Sequence, residues 1–183
     1  ATAGDGPQTA RARERLWAEV LIAARAELFT AIAARDAGAA TKWLTIRDYA
    51  PASGDTAASL AVQALGAGTL APGATHAIVE AELLTVATTE LRLALIRAAD
   101  DAAEGYATQY AGEIGRIEGM IAYLGDNLAR HLGAEGMAAL SADLERSRTD
   151  PADIAAIETR LTGYAPVALD PDERLRLAQL MRR

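Results

Sequence analysis

The 183-residue sequence contains no cysteine. Disulfides, thiolate zinc sites, iron–sulfur clusters and cysteine nucleophiles are excluded with it. Aromatic residues make up only 4% of the chain while alanine accounts for about a quarter of it, a balance that favours helices over sheets. Basic charge is also short, with 18 Lys and Arg against 25 Asp and Glu for a net charge of -7 and a pI near 4.9. Bulk electrostatics therefore argue against a phosphate-backbone binder, and no nucleic acid partner is expected. The longest stretch without a formal charge, Thr56 to Thr75, is interrupted by Gly66, Gly68, Pro72 and Gly73 and cannot form a spanning helix.

The chain is rich in helical periodicity. Leu16, Val20, Leu21, Ala24, Leu28, Ala31 and Ile32 recur at helix spacing and predict a helix over 8–37, stopping near Asp36 and Gly38. A short helix over 39–48 presents Trp43, Leu44 and Ile46 and ends at the Tyr49–Gly54 turn. Asp55 is placed to cap a third helix, which Gly66 and Gly68 close. The longest periodic segment, 74–104, carries Ile78, Leu83, Leu84, Val86, Leu91, Leu95 and Ile96 with no Gly or Pro inside. Further helices are predicted over 106–132, 134–147 and 150–163, with Asp150 as N-cap and Pro151 at the first helical position. A last helix starts at Asp170 and runs to Arg183 without a stop signal. The expected fold is all-α, an antiparallel multi-helix bundle or array with one long central helix, in a single domain over 1–183 behind a flexible start at 1–7.

No catalytic motif is found. A di-iron carboxylate bundle needs Glu-x-x-His pairs, yet Gly73 and Leu128 stand three residues before His76 and His131. His-Glu-x-x-His, Gly-x-Ser-x-Gly and phosphate-binding loops are absent too. The chain is expected not to be an enzyme. Gly112, Gly115 and Gly119 lie three and four apart on one helix face, where they permit close approach of a neighbouring helix.

Between Arg47 and Arg92 there is no Lys or Arg, whereas Asp48, Asp55, Glu80, Glu82 and Glu90 fall inside that interval. Negative potential should gather there. His76 and Glu80, four apart near the start of the long helix, share a face and can offer a cation an imidazole nitrogen and a carboxylate oxygen. Acidic residues near a helix start also favour the macrodipole, so a purely structural role competes. Asp100, Asp101 and Glu104 put three carboxylates on about one turn at the other end, where a cation would offset the unfavourable dipole end and Arg97 can neutralise them instead.

Three stretches carry a family resemblance when taken in order: Trp43-Leu-Thr-Ile-Arg-Asp-Tyr, the segment from Asp55 through Ser59-Leu-Ala-Val-Gln-Ala-Leu to Gly68, and Leu169-Asp-Pro-Asp-Glu through Leu180-Met-Arg-Arg. Glu82-Leu-Leu-Thr-Val-Ala-Thr-Thr-Glu-Leu-Arg joins them. Together they resemble the extracytoplasmic N-terminal helical region of bacterial high-affinity iron permeases, also labelled iron/lead permeases. The permease helices of that family carry Arg-Glu-x-x-Glu iron ligands, a motif this chain lacks, so no transport ligand carries over.

The resemblance implies a domain on the periplasmic face, tethered to the membrane by a permease domain that the chain would continue into beyond Arg183. Its expected cargo is iron or another cation, taken through acidic residues, with His76, Glu80, Glu82, Asp100, Asp101 and Glu104 as candidate metal ligands. The competing expectation is a helical protein–protein interaction or oligomerisation module with no metal role, its glycine face and apolar helix faces docking a partner or a second copy.

Overall fold

A computed structural model describes residues 5–46 and 56–167. The predicted turn at 49–54, the cap at Asp55 and the terminal helix from Asp170 lie outside the described residues. Among those described there are seven α-helices and one short 3-10 turn, with no strand: α1 (Asp5–Ala33), α2 (Ala37–Leu44), α3 (Ala57–Gly66), α4 (Pro72–Glu104), α5 (Ala107–Tyr123), α6 (Gly125–Ser147), the 3-10 turn Pro151–Asp153 and α7 (Ile154–Arg160). The fold is all-α, as the periodicity required, and α4 is its longest helix at 33 residues.

Helix ends follow local chemistry, with one departure. After α3 and α4 the chain turns through Gly68 (φ +72°) and Gly105 (φ +75°), each followed by an amide that reaches back to the carbonyl five residues earlier, Thr69 to Ala64 and Tyr106 to Asp101. This is the Schellman stop, which favours glycine because the left-handed region crowds any Cβ. The same pattern closes α1, where Asp36 N–H reaches Ala31 at 2.9 Å, but the left-handed residue is Arg35 at φ +60°. The helix therefore ends four residues before the predicted 37, and Asp36 instead caps α2 by accepting from Ala39 N–H. For α3 the cap is Thr56, paired reciprocally with Ser59. The predicted helix over 106–132 is two helices, broken at Leu124, and Gly133 (φ +68°) separates the rest from the segment expected to begin at 134.

The chain divides into two compact units. The division falls inside α1 and α4, each of which contributes to both. Among the described residues, unit 1 comprises 5–22 and 87–166, and unit 2 comprises 23–46, 56–86 and 167. Unit 2 is cored by Leu28, Ile32, Leu44, Val62, Leu65, Val79 and Leu83, with α2 packed on α3 and Ala40, Ala58 and Ala61 allowing the close fit. In unit 1, α6 packs on α5, the 3-10 turn and α7, burying Ile114, Ile117, Met120, Leu128, Leu140 and Ile157.

Unit 1 also shows what its glycines are for. A Cβ on Gly115 would stand 2.4 Å from the Arg11 carbonyl oxygen, and one on Gly119 would stand 2.3 Å from the Ala18 Cβ. The glycine face of α5 is thus filled by α1, which leaves it unavailable for a partner chain.

Candidate functional site

In unit 2 the first candidate group sits on the first turns of α4, a helix whose start is favoured by Pro72 at its first position. Glu80 is 1% exposed and its Oε1 accepts from Arg25 Nη2 of α1 at 3.0 Å. The Nε2 of His76 lies 3.7 Å from Glu80 Oε2, so the four-residue spacing does bring imidazole and carboxylate together. The imidazole is stacked on Phe29, with ring centroids 4.0 Å apart at 21°, and Arg25 approaches the same phenyl ring. Stacking fixes the ring plane, and the guanidinium gives the buried carboxylate a hydrogen-bonding partner.

Glu82 points to a different task. Its Oε2 accepts from the Ala58 amide at 2.7 Å, satisfying a first-turn N–H of α3 that the helix itself cannot. It tethers α3 to α4.

The second candidate group belongs to unit 1, at the end of α4. Asp100 and Glu104 are exposed and Asp101 is partly buried. Among the described residues no three His, Asp or Glu side chains converge on a point that could hold a metal ion. The candidate residues thus supply one imidazole–carboxylate pair, one helix tether and a surface-lying acidic turn.

Unit 1 contains charge groupings that sequence reasoning missed. Glu118 of α5, 8% exposed, receives Arg11 Nε at 3.0 Å, Arg11 Nη2 at 2.6 Å and Arg148 Nε at 2.9 Å, with Arg15 Nε 3.6 Å away. Glu14 of α1 is held by Arg116 at 3.1 Å and by Arg13 at 2.9 Å. Asp143, 2% exposed, meets Arg160 and Arg146, and the hydrogen bond from Arg160 leads the effects that hold its carboxyl below the usual range. Burial pushes Glu113 the other way, above the usual 4.5, despite Arg116 nearby. It also pushes the Tyr110 phenol, which donates to the Ser147 carbonyl, up to about 12. The one available signal was the regular recurrence of Arg and Glu along α1, which reads equally as a solvated face.

No helix among the described residues is long and apolar enough to cross a membrane. No curated protein and no solved structure matches the chain. A family model does: that of the iron permease FTR1 N-terminal domain matches residues 1–163. The iron permease family is a transporter family. With most of its length matched, the all-α chain belongs to the iron permease FTR1 N-terminal domain family.

Proposed function

We propose that this domain takes iron transiently at His76 and Glu80 and passes it on within its permease, on the extracytoplasmic face of the membrane. The observation that carries the reading is the 3.7 Å approach of His76 Nε2 to Glu80 Oε2, the place where the candidate ligands meet as an imidazole–carboxylate pair. Nitrogen and oxygen donors of this kind suit iron among the transition ions. Two protein ligands leave the remaining coordination to water or to the incoming complex, and the positive Arg25 guanidinium at 3.0 Å from Glu80 opposes a second cation. Binding is therefore weak and reversible, as delivery requires. Glu82 serves the site indirectly, by tethering α3 beside it.

Calorimetric titration of the chelator-stripped chain with ferrous and ferric iron tests this. Saturable binding that His76→Ala abolishes is the expected result; because the side chain is only 19% exposed and stacks on Phe29, a thermal melt of the variant accompanies the titration and His76→Gln, which keeps more of the packing, should lose binding as well. Binding that survives both His76→Ala and Glu80→Gln, or no binding at all, overturns it.

A docking module is the second reading. It is favoured by Leu16, Trp17 and Val20, which stand 63%, 36% and 40% exposed within little more than one turn of α1. Sedimentation at increasing concentration, with and without chelator, distinguishes them: a chelator-insensitive dimer supports docking.

A further inference from the structure

Unit 1 contains a cavity of about 680 Å³, within the range of roughly 300–1,000 Å³ common to small-molecule sites. Arg11 and Arg15 of α1, Asp101 at the end of α4, Tyr106 and Tyr110 of the α5 start and Arg148 after α6 are among its walls. Three guanidinium groups meet here because Glu118 gathers them from behind, taking hydrogen bonds from Arg11 and Arg148 with Arg15 at ion-pair distance.

One carboxylate does not exhaust them. Three guanidiniums bring roughly fifteen N–H donors, against about four lone-pair positions on Glu118. Arg148 also pairs with Glu145, whose side chain is 66% exposed and is not part of the wall. Among the lining residues the only carboxylate is Asp101. Counting Glu118 behind the wall and Glu145 on Arg148 with it, three carboxylates balance the three guanidiniums, so what the cavity offers a ligand is spare N–H donors and not a net positive charge. The guanidinium planes are preorganised by a buried anchor, which reduces the ordering cost of binding. The phenol of Tyr110 stays neutral at physiological pH, so it adds no competing negative charge.

We infer that this cavity binds a small oxyanion of the polycarboxylate or phosphate class through Arg11, Arg15 and Arg148. Guanidinium forks match the paired oxygens of both groups. The inference is independent of the metal reading of unit 2, since it concerns ligands of the opposite charge and different residues. A free polycarboxylate and one already complexing ferric iron present the same chemistry, and the two sources are separable by experiment.

The test is calorimetric titration of the chain 1–183 with sodium citrate, ferric citrate and sodium phosphate at low ionic strength. Saturable binding of at least one probe is expected. Arg15→Gln should weaken it by about tenfold, the loss of one charge-assisted hydrogen bond. Its side chain is 54% exposed and 3.6 Å from Glu118, so the melting temperature should not move. Asp101→Asn should tighten binding a few-fold by removing the wall's carboxylate. Binding of ferric citrate without binding of citrate assigns the complexed source, and equal binding assigns the free anion; both support the site. No saturable heat with any probe, or affinity unchanged in both Arg15→Gln and Arg148→Gln, overturns it. If Arg148→Gln unfolds, Arg15→Gln and Asp101→Asn decide.

Discussion

Buried charge is handled differently in the two units. In unit 1 three of the buried carboxylates, Glu14, Glu118 and Asp143, each meet at least two guanidinium groups. In unit 2 the Arg25 guanidinium holds Glu80, with the imidazole of His76 beside it. No Lys or Arg lies between Arg47 and Arg92, and the guanidinium on Glu80 comes from a distant part of the chain, Arg25 of α1. Clustered guanidinium donors suit anions, whereas a carboxylate beside an imidazole offers a cation oxygen and nitrogen donors. Packing differs in parallel, since unit 1 brings α1 onto α5 over glycine and unit 2 fits its helices together over alanine.

Breaking the unit 1 side of this comparison should have the largest effect. Glu118→Ala leaves Arg11 and Arg148 without their buried acceptor and should cost about 4 kcal/mol in urea unfolding. A cost below about 1 kcal/mol would mean that the arginines relax into solvent and that the cluster holds nothing together. Next comes Gly115→Ala, whose methyl meets the α1 backbone and should cost about 3 kcal/mol, while Gly125→Ala, with nothing within 4 Å, should be neutral or slightly stabilising. Equal effects at the two sites would show that helix propensity, and not the α1 contact, governs.

On the unit 2 side, Glu82→Ala removes a charged acceptor from the Ala58 amide and should lower stability by about 1.5 kcal/mol. Iron affinity should stay as it was; a loss of affinity at unchanged stability would make Glu82 a ligand. The smallest effect sharpens the comparison by pH. Because burial raises the Glu113 pKa above 4.5 in the folded chain, the folded state holds its proton longer, and stability falls as pH rises from about 4.5 through the higher folded value. Glu113→Gln should match the parent at pH 4 and exceed it at pH 7 in thermal melts. Asp143 acts in the opposite sense: its contribution is present above 3.8 and is lost as pH falls toward its lower folded value.

Legibility followed the range of the interaction. The long helix was readable over 74–104 and observed over Pro72–Glu104, because its period is unbroken and Gly105 supplies the stop. The end of α1 was not, since Arg35 occupies a left-handed position that glycine normally advertises. The break at Leu124 was hidden for a related reason: Gly112, Gly115 and Gly119 continue straight through a helix, so Gly125 alone carried no stop signal. The His76–Glu80 pair was visible because i and i+4 share a helix face. Its Arg25 and Phe29 neighbours were not, since they come from α1, some fifty residues earlier in the chain.

The amino-acid order by itself determined the all-α class, most helix bounds and the acidic character, because these rest on local periodicity, capping and composition. Tertiary structure alone decided which distant charges meet. Arg11 reaches Glu118 across 107 residues and Arg116 reaches Glu14 across 102, and such partners are chosen by the packing of α1 on α5, which no local pattern encodes.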